Sequence, residues 1–402
     1  MTASPGPDAL AGVRVIDFTR VFSGPFAAQT LGEFGADIIK VERLNVGDES
    51  RDYGVTEEMP RPGAAFLAYN RNKRSIAIDL KSEEGRDTAK RIIRTADVVL
   101  HNFRPGVMER LGLAYEDLRD ENLGLIYCSI SGYGKDSSLR DRAANDLQIQ
   151  AYSSLLSMTG DEGGGPVRNP LSVCDLTAGL YAVIGILAAL NYRTVSGEGQ
   201  EIAVSMLEGQ LGMLNHFLVD YWMTGHIPPR MGTANELGLP NQAFVTKDGF
   251  VAMSSANEGM YRRACDALGI SELKEDPRFR SLRDRYANRE ELVRRFEEAT
   301  SAMTTAEAVE RLSAAGVSNA PVNTLDQLAA DPILDELDAT LEMETENHGA
   351  VKLVRVPVGM SVTRPVEHRA PPRLGEHTDE ILREAGLDER QIKALRRSSA
   401  VG

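Results

Sequence analysis

The chain has 402 residues, 42% of them hydrophobic and 26% charged, which is more than one hydrophobic core usually organises and predicts a globular protein of two domains. Its 45 Lys and Arg residues are outnumbered by 59 Asp and Glu residues, which gives a net charge of −14. This balance excludes the uniformly positive surface that binds nucleic acid or an anionic membrane, so an anionic ligand would need a local group of basic side chains.

Short apolar runs alternate with helical patterns in the N-terminal half. The runs predict strands at 13–18, 36–42, 75–80, 96–103, 123–134 and 200–206. One helix is predicted between the first two strands, and Ser82 is predicted to cap another whose first turn carries Glu83 and Glu84. This alternation predicts an α/β fold with a doubly wound, mostly parallel sheet. Such sheets bind ligands at the carboxyl ends of their strands.

The pattern changes near residue 225, within a long segment that contains several Gly and Pro residues. A strand pair at 243–255 and helical spacing over 257–316 predict a smaller, mainly helical α+β domain. The chain then returns to strand-like sequence at 351–362 and a last amphipathic helix at 377–386. We therefore predict a large domain made of residues 1–224 and 326–402, with a small domain at 225–325.

The three cysteines lie far apart in the sequence. Cys128, Cys174 and Cys265 form no Cys-x-x-Cys pair and no zinc-binding pattern, so we expect buried thiols, a reducing compartment and no metal site. The opening residues, MTASPGPDALAG, lack the basic start and apolar core of a signal peptide. Unbroken apolar runs of about 18 residues, long enough to span a membrane, are also missing. We therefore predict a cytoplasmic location and no membrane binding.

Basic side chains lie beside the ends of several predicted strands. They are Arg20, Arg43, Lys73, Arg74, Arg104 and Arg110. Exposed Lys and Arg are common on any protein surface. Their grouping along a sheet nevertheless favours a ligand with several phosphates and an adenine, because Arg pairs with phosphate and stacks on rings. The sequence has no G-x-G-x-x-G motif and no Walker loop, which disfavours nicotinamide dinucleotides and nucleoside triphosphates.

Six stretches of the sequence together indicate a family. They are LAGVRVIDFTRVFSGPFAAQTLGEFGADIIKVER, NRNKRSIAIDLKSEEG, ADVVLHNFRPGVMERLGL, LSVCDLTAGLYAVIGILAAL, GVSNAPVN and RAPPRLGEHTDEIL. With them the chain resembles the class III CoA-transferases, the formyl-CoA and carnitine CoA-transferase family, which also contains the α-methylacyl-CoA racemases. The resemblance implies an interlocked homodimer of ring-like chains. Each chain would have a large Rossmann-like CoA-binding domain, built from both termini, and a smaller domain between them.

Asp175 stands at the start of the apolar stretch 172–190. An Asp in this position is most often a helix N-cap. The resemblance implies instead that Asp175 is the nucleophile. The two roles are compatible, because a helix N-terminus favours the ionised carboxylate and only that form attacks a thioester.

The resemblance also implies the ligand and its contacts. The expected ligand is coenzyme A, bound as the acyl-CoA donor, and the partner substrate is a carboxylic acid. The implied CoA contacts are Arg20, Phe22, Ser23, Arg43, Lys73, Arg74, Asn102, Phe103, Val107, Arg110, Leu111 and Met206. In the implied reaction, Asp175 forms a mixed anhydride with the donor acyl group and then an aspartyl-CoA thioester. The acceptor carboxylate takes the CoA from that thioester.

Three alternatives to simple CoA transfer remain open at this point, and the first is racemisation. A racemase would carry a His immediately before Asp146, but Asn145 stands there and cannot transfer a proton at neutral pH. Asp146 has a carboxylate counterpart in some transferases, so it is a candidate assisting residue as well as a candidate turn or cap. The second alternative is binding of acyl-CoA without catalysis. The third is transfer of CoA between two carboxylates of one acid. For a dicarboxylic acid such as succinate, Arg168 and Arg230 are candidate contacts of the second carboxylate.

Overall fold

The computed structural model describes residues 8–236, 238–255, 257–366 and 368–402. Residues 1–7 lie outside the described residues. They belong to the opening stretch in which no signal peptide is predicted. The strands are β1 (Arg14–Asp17), β2 (Asp37–Arg43), β3 (Lys73–Ile78), β4 (Val98–His101), β5 (Ile126–Ser131), β6 (Glu201–Ser205), β7 (Asn241–Val245), β8 (Phe250–Ser254), β9 (Ser318–Pro321), β10 (Thr340–Thr345) and β11 (Gly349–Val354).

Helices connect and cover these strands. They are α1 (Ser23–Glu33), α2 (Ala64–Tyr69), α3 (Glu83–Ile93), α4 (Val107–Leu111), α5 (Tyr115–Leu118), α6 (Asp146–Tyr152), α7 (Leu155–Met158), α8 (Val173–Ser196), α9 (Met206–Met213), α10 (Asn215–Thr224), α11 (Glu258–Ala267), α12 (Leu282–Ala287), α13 (Arg289–Ser301), α14 (Thr305–Ala314), α15 (Leu325–Ala329), α16 (Ile333–Glu336), α17 (Thr378–Glu384) and α18 (Glu389–Arg397). Short 3-10 helices cover Glu49–Asp52, Ser271–Lys274 and Pro277–Phe279.

The first six strands form one sheet in the order β3-β2-β1-β4-β5-β6, and every neighbouring pair is parallel. This confirms the predicted α/β class and the mostly parallel sheet. The strand order reverses between β1 and β4, and a crevice at that point is where ligands of such sheets bind. The predicted Ser82 cap of α3 is also present, since its hydroxyl accepts the Gly85 backbone N–H at 3.0 Å.

Alternate residues of the strands face opposite sides of this sheet. One cross-strand row comprises Ile38, Val15, Val98 and Ile126, and it packs in the same core as residues of α1 and α8. The next row comprises Ile39, Ile16, Val99 and Tyr127, and it packs with residues of α3, α17 and α18. Both faces are covered by helices, which explains why the strands read as continuous apolar runs.

Two details near the C-terminus differ from the sequence-based expectation. The strand-like sequence predicted at 351–362 is strand only as far as Val354, where it pairs with β10 in an antiparallel hairpin. The helix predicted at 377–386 is not the last one, because α18 follows it. Its sequence carries helix signals of its own, because Asp388 and Gln391 form a capping box and Ile392 is buried on one face of an otherwise charged helix.

The chain divides into two compact units. The first comprises Met1–Leu156, Arg168–His226 and Asp335–Gly402, and it holds the parallel sheet. The second comprises Ser157–Val167 and Ile227–Leu334. It contains the antiparallel sheet β7-β8-β9 and a core of its own. Cys128, Cys174 and Cys265 are all buried free thiols.

The helix α8 is long and apolar enough, by length and composition, to cross a membrane, and half of its most apolar segment is buried inside the protein. Its buried side packs closely on α1. A Cβ atom added to Gly179 would lie 2.6 Å from the Ser23 carbonyl oxygen and 2.9 Å from the Phe26 ring. This glycine therefore lets the second turn of α8 approach the start of α1, which matters for the site described next.

Candidate active site

Two cavities open near the carboxyl ends of the parallel strands, and both lie within the first unit. The first cavity, of about 370 Å³, is bordered by the segments that follow β1, β2, β3 and β4. The second cavity, of about 310 Å³, is bordered by the segments that follow β1, β4, β5 and β6 and by the start of α8. Arg20 and Phe103 line both cavities. The Arg20 guanidinium carbon lies 4.9 Å from the centre of the Phe103 ring, so the pair forms the shared wall.

Most of the predicted site residues lie on these cavities. The first is lined by Arg20, Arg43, Phe103, Val107 and Leu111. The second is lined by Arg20, Ser23, Asn102, Phe103, Met206 and Asp175. The structure therefore brings together residues that are as much as 186 positions apart in the sequence, from Arg20 to Met206. It does so because the carboxyl ends of parallel strands meet at one sheet edge.

Phe22 and Arg110 lie outside the lining of both cavities. The Phe22 ring packs against Tyr69 and Tyr53, with centroid distances of 5.7 and 6.3 Å, and Tyr53 itself lines the second cavity. Arg110 is exposed on α4, next to Leu111, which lines the first cavity. Their roles remain predictions.

Lys73 is buried instead of facing a cavity. Its ammonium group donates to an Asp17 carboxylate oxygen at 3.0 Å, to the Pro25 carbonyl at 2.9 Å and to the Asn70 side-chain oxygen at 2.9 Å. These contacts use all three ammonium protons, so none remains for a phosphate. Burial lowers the pKa of Lys73 to about 8, although the Asp17 charge opposes that effect.

Arg74 is also occupied elsewhere. It lies near the amino end of β3, and its guanidinium pairs with Asp37 at 2.6 Å, Glu384 at 2.7 Å and Glu380 at 2.8 Å. Lys73 and Arg74 are the first two residues of β3, so they lie at its amino end, whereas the cavities lie at the carboxyl ends of the strands. Lys73 and Arg74 are therefore not part of the CoA site proposed below.

Asp175 is the third residue of α8 and not its N-cap. The N-cap position belongs to Ser172, whose side chain makes no capping hydrogen bond. The capping interaction comes from Asp146, whose carboxylate oxygen accepts the Cys174 backbone N–H at 2.8 Å. Asp146 is 3% exposed, and its second oxygen accepts a 2.5 Å hydrogen bond from Gln150. Asp146 therefore anchors the turn of α8 that carries Asp175.

The environment of Asp175 favours its protonated form. Burial raises the pKa of Asp175 to about 7, and the nearby negative charge of Asp146 adds to the increase, while a hydrogen bond with the Ser23 hydroxyl opposes it. The helix N-terminus by itself is expected to have the opposite effect and to favour the ionised carboxylate. Loss of solvation and the negative charge of the second carboxylate therefore oppose the effect of the helix macrodipole on Asp175.

The structure adds residues that the motif comparison did not single out. Arg140 and Arg142, on the segment between β5 and α6, line the second cavity together with Asn145. Basic residues beside strand ends indicated the other candidate binding loops, and the sequence SLRDRA after β5 has the same pattern. Asn145 is the N-cap of α6 and accepts the Leu147 backbone N–H at 3.1 Å.

The two arginines predicted to hold a second carboxylate are engaged elsewhere. Arg168 lies 3.6 Å from Asp146. Arg230 belongs to the second unit, where it donates to the Ser157 carbonyl oxygen at 3.3 Å. Neither lines the second cavity. Within the described ranges, no group of three or more His, Cys, Asp and Glu side chains is placed to hold a metal ion.

Comparison with known proteins agrees with this geometry. A sequence profile described as CoA-transferase family III matches residues 10–378. The Agrobacterium fabrum protein named succinate–glutarate CoA-transferase is 36% identical over 386 residues, which cover 95% of this chain and 96% of that protein. Human succinyl-CoA:glutarate CoA-transferase is 35% identical over 387 residues, 96% of this chain and 88% of that protein.

Solved structures show the same relationship. The crystal structure of a CaiB/BaiF family protein from Brucella suis superposes with a TM-score of 0.85 at 34% identity, and the match covers 94% of this chain and 100% of that one. The chain belongs to CoA-transferase family III and is an enzyme that transfers CoA between carboxylic acids.

Proposed function

We propose that Asp175 is the nucleophile of this CoA-transferase. The observation that carries the proposal is that Asp175 lines the same cavity as Arg20, Asn102 and Phe103, which match the family's CoA-binding positions. The carboxyl group is partly buried and lies near Ser23, so it is partly desolvated when a thioester arrives. A desolvated carboxylate is a stronger nucleophile than one in water.

The proposed reaction needs no net proton transfer. The Asp175 carboxylate attacks the carbonyl carbon of the donor acyl-CoA, the C–S bond breaks, and a mixed anhydride and CoA thiolate form. The thiolate then attacks the Asp175 carbonyl carbon, and the C–O bond of the anhydride breaks. The donor acid departs as a carboxylate, and Asp175 now carries CoA as a thioester. The acceptor carboxylate attacks that thioester and repeats both steps in reverse, so that Asp175 is regenerated as a carboxylate.

The two cavities suit the two ends of an acyl-CoA. The first cavity holds Arg43 beside the apolar side chains of Val107 and Leu111, which fits a phosphate and a ring. The second holds Asp175, which fits the thioester. The wall formed by Arg20 and Phe103 would contact the segment of CoA that connects them. We propose that Arg20, Ser23, Arg43, Asn102, Phe103, Val107, Leu111 and Met206 contact CoA.

The experiment that tests the nucleophile is trapping of the covalent intermediate. The protein is incubated with succinyl-CoA and hydroxylamine, digested and analysed by mass spectrometry. We expect Asp175 to be converted to its hydroxamate, which is heavier by one NH group, and we expect no such product in Asp175→Asn. Failure to label Asp175, together with entry of solvent deuterium at the α-carbon of a branched acyl-CoA, would support racemisation instead.

A dicarboxylic acid is the proposed acid substrate. Arg142 lines the cavity that contains Asp175, and its guanidinium carbon lies 5.7 Å from the Tyr133 ring centre and 6.0 Å from the Tyr152 ring centre. In the part of the chain that the structure describes, no carboxylate forms an ion pair with Arg142, whereas Arg20 pairs with Glu49 at 2.9 Å. Arg142 is therefore a cation available for the remote carboxylate of the substrate. The names of the relatives, which contain succinate and glutarate, favour the same class.

Replacing Arg142 by Gln is expected to raise the KM for succinate or glutarate about tenfold, because a charge-assisted hydrogen bond to the remote carboxylate is lost. The KM for butyrate, which lacks that carboxylate, and the KM for the acyl-CoA should stay unchanged. Arg142→Lys should recover part of the loss. Arg119→Gln, on an exposed helix end, is the matched control. An equal rise for all acids, or a rise for the acyl-CoA alone, would assign Arg142 to CoA instead.

We also propose a homodimer. The helices α8 and α10 expose large apolar side chains: Ile184 is 59%, Val195 89%, Trp222 71% and Met223 80% exposed. Exposed apolar residues on this scale usually mark a protein interface, and a second copy of the same chain is the commonest partner. Light scattering is expected to give twice the mass of one chain. Ile184→Asp, in the middle of α8, should shift the protein towards the monomer, and a monomeric wild-type protein would contradict the proposal.

A further inference from the structure

The first loop, residues 19–22, has its backbone held by side chains from other parts of the fold. The Thr19 N–H donates to an Asp17 carboxylate oxygen at 2.8 Å, and the Thr19 carbonyl accepts the Lys40 ammonium at 2.9 Å. The Asn102 side chain accepts the Arg20 N–H at 2.9 Å and donates to the Arg20 carbonyl at 2.8 Å. The backbone of this loop is therefore fixed before any substrate binds.

Val21 is the strained position of the first loop. Its φ angle is +71°, in the left-handed region that β-branched residues rarely adopt. Its N–H donates to both carboxylate oxygens of Asp48, at 3.1 and 3.3 Å. Such strain persists only where surrounding groups hold the residue in place, and it is concentrated at functional sites.

Asp48 is itself firmly held. Its carboxylate accepts the Lys40 ammonium at 2.8 Å, and the Ser50 N–H and hydroxyl, both also at 2.8 Å. Its own N–H donates to Glu42 at 3.0 Å, and Glu42 pairs with Arg51 at 2.7 Å. Asp48 is 2% exposed and Lys40 is fully buried. Although burial alone would raise the pKa of Asp48, Lys40 and Ser50 hold it well below its ordinary value, so the group is ionised.

We propose that Asp48 is a positioning residue for CoA transfer. By accepting the Val21 N–H, Asp48 holds the first loop in its left-handed conformation. That conformation places Arg20 in the wall between the two cavities and Ser23 on the same cavity as Asp175. Asp48 lines the first cavity and its carboxylate accepts the Val21 N–H, whereas Asp175 lines the second cavity. The inference rests on the proposed roles of Asp175 and of the first loop in CoA binding.

The test uses glycine at position 21, because glycine adopts a positive φ without the steric penalty that valine incurs. Asp48→Asn is expected to raise the Kd for coenzyme A, measured by calorimetry, about tenfold, and to lower kcat. Adding Val21→Gly to Asp48→Asn should recover most of the loss. Adding Val21→Ala should recover less, because alanine lacks the β-branch but keeps the Cβ atom that disfavours a positive φ. Equal rescue by both substitutions, or no loss in Asp48→Asn, would overturn the proposal.

Asp48→Glu keeps the experiment decisive if Asp48→Asn does not fold, since Glu retains a negative charge beside Lys40 while displacing the oxygens that Val21 contacts. A larger rescue by Val21→Gly than by Val21→Ala is expected there as well. The variant Arg20→Ala distinguishes failure of the role proposed for Asp48 from failure of the proposed CoA site. If Arg20→Ala weakens coenzyme A binding while the Asp48 variants do not, Asp48 is not a positioning residue. If Arg20→Ala also leaves the Kd unchanged, the proposed CoA site itself is wrong.

Discussion

Replacing Asp175 by Asn is expected to lower the rate of CoA transfer at least about 1,000-fold, because an amide cannot form the anhydride on which the proposed mechanism depends. The loss should appear in kcat, measured with succinyl-CoA as donor and glutarate as acceptor. The Kd for coenzyme A should change little, since Asn has nearly the same shape as Asp. Asp87→Asn, at an exposed position on α3, is the matched control and should retain full activity.

Thermal unfolding provides a second measurement on the same variant. The pKa of Asp175 is raised from 3.8 to about 7 in the folded protein, so the folded state favours the protonated carboxyl, and ionisation reduces the free energy of unfolding as pH rises through that interval. Asn cannot ionise. Asp175→Asn should therefore have a higher Tm than the wild type at about pH 8 and a similar Tm at about pH 4. A folded, more stable variant that still transfers CoA at more than about a tenth of the normal rate would show that Asp175 is not the nucleophile.

The second large effect concerns pH. Because only ionised Asp175 attacks the thioester and its pKa is raised to about 7 by burial and by Asp146, kcat/KM for the acyl-CoA should fall as pH decreases through this value. The decrease should approach tenfold per pH unit, or about 100-fold at pH 5 relative to the plateau above neutrality. Initial rates across this range, in buffers of constant ionic strength, test the expectation.

The variant Asp146→Asn tests whether the charge of Asp146 sets the midpoint of this pH profile. The Asn side-chain oxygen can still accept the Cys174 N–H, so the helix remains capped, but the negative charge that raises the pKa of Asp175 is removed. The midpoint of the profile should therefore move to lower pH. A midpoint that stays near 7 would indicate that burial alone sets the pKa of Asp175. A profile that is flat down to pH 5 would show that Asp175 does not limit the reaction.

The parallel sheet was predictable because both of its faces are buried. Strands such as β1 and β4 therefore carry unbroken apolar runs, and the helices between them carry a different period. The strand order could not be obtained this way, since periodicity describes each element but not its neighbours. At the C-terminus α18 also carries sequence signals, since Asp388 and Gln391 form its capping box and Ile392 lies on its buried face.

The candidate site was predictable in part. Motifs identified the loops after β1 and β4, and the structure gathers Arg20, Asn102, Phe103 and Asp175 at one cavity. The same motifs included Lys73, which donates all its ammonium protons to protein oxygens inside the fold. A sequence motif does not distinguish a residue that touches the ligand from one that supports the loop beside it.

The sequence by itself determined the family, the α/β class and the position of the candidate nucleophile, because these depend on local pattern and on residues that recur in related chains. Only the tertiary structure decided how those residues behave. Asp146 caps α8 and raises the pKa of Asp175, and Asp48 holds Val21 at a positive φ. Both effects act between segments more than 25 positions apart, and charge, burial and backbone strain depend on distance in space, which the order of residues does not specify.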